Sequence, residues 1–177
     1  MLPSQVRVSA LGMASTTATT ECLTTAEQRA WKSFLRGYAV LVRELDSELE
    51  ATHGLPLTSF EVLARLHAAP DQRMRMGDLA DAVLLSRSGL TRLVDRLARD
   101  GLLTRCSCSH DARGAFAVLT AEGERMFEAA RPIHIAGVRE SFLRRFDAEE
   151  LEGLSEMLER LAPELAAADV ADPTMRC

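Results

Sequence analysis

Apolar residues recur at steps of three and four in Trp31, Phe34, Leu35, Tyr38, Val42, Leu45 and Leu49, the spacing of one helix face. The pattern predicts a long amphipathic helix reaching to about Thr52. Thr24 and Glu27 stand at the reciprocal capping positions at its start. "HGLPL" closes it, because Gly54 admits the left-handed backbone and Pro56 cannot continue a helix. Thr58 with Glu61 is expected to cap a second helix, with Leu57 and Val62 at staple positions, and "AAPDQRMRM" ends it. A short third helix from Asp78 to Val83 turns Leu79, Ala80 and Val83 inward.

"LLSRS" then reads as a turn, with Ser86 as N-cap of a fourth helix that stops at Asp100-Gly101, where glycine supplies the C-terminal cap. Leu90, Val94 and Leu97, joined by Leu93, form its apolar stripe; Arg87, Ser88, Thr91, Arg92 and Asp95 lie on the opposite surface. Three helices joined by tight turns match a helix-turn-helix. "LLTRCSC" and "AFAVLT" flank "SHDARG" and predict a two-stranded hairpin with a basic tip. Thr120 is expected to cap a further helix through Phe142. Asp147 and Glu150 form a capping pair for a last one, with Leu151, Leu154, Leu158, Leu161 and Leu165 on one stripe.

The expected fold is therefore mainly α with a small β-hairpin, a winged helix-turn-helix between long N- and C-terminal helices. Residues 1–22, Ser/Thr-rich and aperiodic, read as a flexible arm. Residues 23–57 form a dimerisation helix, 58–119 the winged helix, 120–170 further dimerisation helices, and 171–177 a tail. The first helix, roughly 40 Å long at 1.5 Å per residue, outreaches a small winged helix, yet its apolar stripe runs end to end. The terminal helices of a second copy would cover that stripe most simply, giving a two-fold homodimer.

Charge changes this picture only locally. The 177 residues carry 21 basic and 26 acidic side chains, a formal net charge of −5, which argues against coating nucleic acid by bulk charge. From Arg73 to Arg113, however, eight arginines face five aspartates. A local basic surface on an otherwise acidic body suits a polyanion. With 47% hydrophobic and 27% charged residues, the composition is that of an ordinary globular chain. No apolar run approaches a signal-peptide core or a membrane span. Four scattered cysteines do not make a disulfide framework, so a reducing cytoplasm and free thiols are expected.

The stretches "LTSFEVLARL", "RMGDLADAVLLSRSGLTRLVDRLARDGLLTR", "DARG" and "AVLTAEG" resemble the MarR family of bacterial winged-helix regulators, over nearly all of the chain from about Leu23 to Leu165. The resemblance implies a homodimer that binds a pseudo-palindromic double-stranded DNA operator, usually as a repressor, often released by a small-molecule effector or by thiol oxidation. By position, Ser86 opens the helix corresponding to the family's recognition helix, with Arg87, Ser88, Thr91 and Arg92 at its DNA-facing places. Asp111 and Arg113 match the wing's acidic-basic pair, whose arginine enters the minor groove. The residue chemistry agrees: serine hydroxyls and helix N-terminal amides suit phosphate, and a guanidinium can read guanine O6 and N7 bidentately. Arg96 and Arg99 are assigned instead to local ion pairs, Arg96 with Asp100 and Arg99 with Asp95.

Other residues admit a functional and a plain reading. Trp31, Phe34, Tyr38, Phe60, His67, Met126 and His134 are candidates to line an effector cleft between the dimerising helices and the winged helix, although such stripes are more often core. Cys106, Cys108 and His110 alternate, so a strand would place them on one side as redox or metal groups. Their spacing is not the paired one of structural zinc, and Cys106 and Cys108 are kept only as redox candidates. Cys22 precedes the first helix, whereas peroxide-sensing members of the family carry their reactive cysteine inside it, where this chain has "SFLRGY". No metal site or cofactor is expected. Without a metalloprotease motif, phosphate loop or nucleophile with an evident base, the chain does not read as an enzyme. A winged helix that docks a protein partner is the remaining alternative, one that the polar "RSGLTR" face disfavours.

Overall fold

The computed structural model describes residues 22–107 and 115–161. Contacts divide the chain into two units, Met1–Leu35 and Arg36–Cys177. Helix α1 (Thr25–His53) is followed by α2 (Leu57–Ala68), strand β1 (Arg73–Arg75), α3 (Met76–Ala82), α4 (Arg87–Arg99), β2 (Leu103–Ser107), β3 (Ala115–Leu119), α5 (Ala121–Ser141) and α6 (Ala148–Glu159). This is the winged-helix order, with a third strand added. Helices α3 and α4 form the helix-turn-helix, and β2 and β3 pair antiparallel as the wing.

At the chain's first helix the capping pair forms as expected. The Glu27 carboxylate accepts the Thr24 N–H at 2.7 Å, and the Thr24 hydroxyl accepts the Glu27 N–H at 3.3 Å. Gly54 adopts φ +62° just past the helix end, the conformation that glycine takes at no steric cost. A capping box likewise opens α6, between Asp147 and Glu150. The Thr58 cap does not form. Helix α2 begins at Leu57 with no capping side chain of its own, and the Asp46 carboxylate of α1 accepts the Leu57 N–H at 2.7 Å instead. A helix N-terminus welcomes such a negative charge, and here it comes from a neighbouring helix. Glu61, released from capping, is partly desolvated by burial, which pushes its carboxyl above the ordinary value.

The sheet has three strands in the order β1-β3-β2, where the sequence predicts two. Strand β1 pairs antiparallel with β3 through Arg73 and Val118, Met74 and Ala117, and Arg75 and Phe116. Met74 faces the core while its arginine neighbours turn outward, as a period of two requires. The core of the second unit gathers Leu45 and Leu49 of α1, Phe60, Val62, Leu63 and Leu66 of α2, Leu79 of α3, Leu90, Val94 and Leu97 of α4, Leu103 and Ala117 of the sheet, and Phe127 of α5. Helices α2, α3, α4 and α5 thus bury their predicted faces, whereas α1 buries only Leu45 and Leu49 of its stripe and α6 buries none of its leucines. Gly123 lets α5 leave the wing: a Cβ there would lie 2.1 Å from the Leu102 carbonyl oxygen, which no side chain can occupy.

Candidate nucleic-acid interface

Helix α4 is built to present its first turn. Ser86, with extended backbone, caps it by accepting the Gly89 N–H at 3.1 Å, and Gly101 ends it at φ +77°. The turn before it is held by the Leu85 N–H donating to the Ala80 carbonyl. That turn places Leu84 at φ +53°, a left-handed conformation that costs a non-glycine residue about 1–2 kcal/mol. Leu90, Leu93, Val94 and Leu97 are buried, which fixes the helix rotation and turns the opposite side to solvent. Ser86, Arg87, Ser88 and Arg92 are exposed there and Thr91 is half-buried. The Thr91 hydroxyl donates back to the Arg87 carbonyl at 2.8 Å, leaving its lone pairs outward. No acidic residue occupies the first turn, so backbone amides and guanidinium groups present one sign of charge.

The arginines of this segment divide by partner. Asp95 does not pair with Arg99; its carboxylate takes Arg105 of β2 at 2.6 Å, and Arg99 donates to the Asp95 carbonyl. Arg96 reaches the buried Ser59 hydroxyl of α2 at 3.0 Å. Both contacts brace α4, one against the wing and one against α2. Among the described residues no carboxylate pairs with Arg87 or Arg92. A groove beside α4 is lined by Arg75, Asp78, Arg87, Thr91 and Arg105. Arg75 and Arg105 escaped the sequence reading. The only signal for them was their place just before α3 and just after the Gly101 turn.

Other candidates separate more clearly. Asp111, Arg113, Cys108 and His110 lie outside the described residues. Cys106 is exposed on β2, directly opposite Phe116. Among the described residues no three His, Cys, Asp or Glu side chains group to hold a metal ion. Trp31 and Phe34 stack on one another at 6.3 Å and are exposed, as is Tyr38. Phe60, His67 and His134 gather around Phe127. Phe60 stacks on Phe127 at 5.4 Å and on His134 at 4.5 Å, and His67 on Phe127 at 4.6 Å, while Met126 packs against this core. The rings fill the space between α2 and α5. His67 also sits 3.8 Å from Glu124 and 3.4 Å from Glu128.

His134 is buried, and its Nδ1 has no hydrogen-bond partner among the described residues. Desolvation by burial lowers its pKa below the ordinary 6.5. The unfolded chain therefore binds a proton more readily than the folded one. Stability contributed by neutral His134 is complete above pH about 6.5 and is lost as the pH falls from there through the lower folded-state value. Urea unfolding at a series of pH values between about 7.5 and 5 should show this decline in the wild type. His134→Leu should flatten it, and an unchanged slope in the variant would remove the assignment to His134.

The family model described as MarR family matches residues 53–114. The HTH-type transcriptional regulator MhqR of Bacillus subtilis (strain 168) is 34% identical over 62% of this chain and 73% of its own. AbsC, a MarR family transcriptional regulator from Streptomyces coelicolor, is 35% identical over 84% of this chain and 99% of its own, with a TM-score of 0.77. Sco3205, a MarR family transcriptional regulator from the same organism, solved in complex with DNA, is 33% identical over 82% and 91%, with a TM-score of 0.78. The likeness to these solved relatives covers more than four fifths of the chain and nearly the whole of theirs, and the chain belongs to the MarR family of transcriptional regulators.

Proposed function

We propose that the protein is a homodimeric, sequence-specific DNA-binding transcriptional regulator, a repressor relieved by a small-molecule effector. The carrying observation is the first two turns of α4, where exposed Arg87 and Arg92 lack carboxylate partners among the described residues and no acidic side chain intervenes. In this reading Arg87 and Arg92 enter the major groove, Ser86, Ser88 and Thr91 meet phosphate, and Asp111 orients Arg113 in the minor groove. The relative Sco3205 was solved with DNA, which supports the assignment of a duplex as partner.

Residues 23–57 and 120–170 serve dimerisation around the winged helix of 58–119. Exposed Trp31, Phe34 and Leu35 on α1, and exposed Leu158 and Leu161 in and just past α6, supply apolar surface for a second copy. Repression has its support in YetL of Bacillus subtilis, named a transcriptional repressor and 30% identical over 63% of this chain and 69% of its own. The protein works by binding rather than by catalysis, in the cytoplasm. No helix among the described residues is long and apolar enough to cross a membrane.

Fluorescence anisotropy with genomic duplex fragments selected by the purified protein tests this reading. Affinity should fall steeply with salt, with a log-log slope of about −0.9 per phosphate contacted. A chain that retains no duplex, or one whose binding ignores salt, would contradict it.

A further inference from the structure

Helices α1, α3 and α4 are each followed by a residue with left-handed backbone: Gly54 at φ +62°, Leu84 at φ +53° and Gly101 at φ +77°. The last two share one hydrogen-bond pattern. The Gly101 N–H donates to the Ala98 carbonyl and the Leu102 N–H to that of Leu97; the Leu84 N–H donates to the Asp81 carbonyl and the Leu85 N–H to that of Ala80. Glycine is the usual residue at the left-handed place of this helix stop, because a Cβ is strained there. Leucine at that place is costly. No packing inside the fold offsets the cost, since Leu84 is 76% exposed, more than any other large apolar residue among the described residues. A side chain kept in a sparsely populated backbone conformation, with no buried contact in return, points to a task outside the folded chain.

Its position names the task. Leu84 stands two residues before Ser86, the N-cap of α4, and three before Arg87, so at most about 11 Å of chain separates it from the turn that carries the exposed guanidinium. We infer that Leu84 is a specificity-determining residue of the DNA interface, its isobutyl group packing on the 5-methyl group of a thymine at the edge of the half-site that α4 meets. This rests on the regulator reading above. Among the groups that base pairs present in the major groove the thymine methyl is the apolar one, so an uncharged branched side chain next to α4 selects thymine over cytosine. The neighbouring arginines and serines cannot make that choice, because they suit guanine and phosphate. The two hydrogen bonds of the helix stop hold the backbone at Leu84 before any duplex arrives, which keeps the ordering cost of the contact small.

Anisotropy with the full-length protein and a selected duplex fragment, in which deoxyuridine replaces thymidine at one position at a time, tests the contact, because that exchange removes the methyl group alone. For the wild type, one thymine in each half-site should lose about fourfold in affinity on exchange, the worth of one buried methyl group. Leu84→Gly should bind the thymidine fragment at least about fourfold more weakly than the wild type and ignore the exchange at that position, with its response at other thymines unchanged. Leu84→Asn, polar and tolerant of the left-handed backbone, should behave like Leu84→Gly, whereas Leu84→Met should keep the response. Neither the glycine nor the asparagine variant should melt below the wild type, because each relieves strain. Full affinity in Leu84→Gly, the result expected if Leu84 meets a protein instead, would overturn the inference. So would an unchanged response to deoxyuridine in that variant, or a fall in its melting temperature, which would place Leu84 in the packed fold. Absence of duplex binding by the wild type would strike the regulator reading itself, and this contact with it.

Discussion

Arg87→Ala should weaken duplex binding by about 1–3 kcal/mol, roughly five- to 150-fold, the worth of one bidentate base contact. The side chain is exposed at the first position of α4, and alanine is a good helix former, so the variant should fold and melt like the wild type. The loss then belongs to the interface. Arg87→Lys should recover only part of it, because a lysine keeps the charge but not the planar fork. Discrimination between the selected fragment and random duplex should fall with the affinity, since a phosphate contact alone carries no sequence information. Anisotropy at one fixed salt concentration measures both. Unchanged affinity and discrimination in Arg87→Ala would remove this residue from the interface.

Phe127→Ala should cost about 3–5 kcal/mol of folding stability. The ring is fully buried, stacked against Phe60 and tilted against His67, both of α2, and it joins α5 to the winged helix. Truncation leaves a void between elements that Gly123 and the three-stranded sheet hold in place, so the walls have little room to close. For a domain of ordinary stability, about 5–15 kcal/mol, that is a large share. Urea denaturation at one fixed protein concentration should show the midpoint move sharply, and Phe127→Leu should lose less. A loss below about 1 kcal/mol would mean that α5 does not depend on this ring for its packing.

The sequence was most legible where the determinants are local. Ser86, Gly101 and the Asp147–Glu150 box lie within a few residues of the helix ends that they specify, and the leucine stripes of α4 follow from a period of 3.6. Strand β1 was not legible. Its three residues hold one apolar side chain, and it exists through backbone pairing with β3, more than 40 positions later. The cap on α2 was missed for a similar reason, since Asp46 reaches Leu57 only after Gly54 reverses the chain. Asp95 found Arg105 rather than the nearer Arg99 because the Gly101 turn brings β2 back beside α4.

Candidate effector residues show the same limit. Periodicity puts Phe60, His67 and His134 on inward faces, and a lined cleft and a filled one have the same period. These rings pack with Phe127 between α2 and α5. The exposure of Arg87, Ser88 and Arg92 on α4 was legible because the side opposite a buried stripe is exposed wherever the helix packs. The wing pair Asp111 and Arg113 rests on the family resemblance.

Hydroxyl-radical footprinting of the wild-type protein on a selected fragment tests most directly the claim that two copies present matching α4 faces to one duplex. The prediction is two symmetrically related protected half-sites centred about one helical turn apart, roughly 34 Å, appearing together as protein is added. A single protected half-site, or two that fill independently at unrelated spacings, would contradict it.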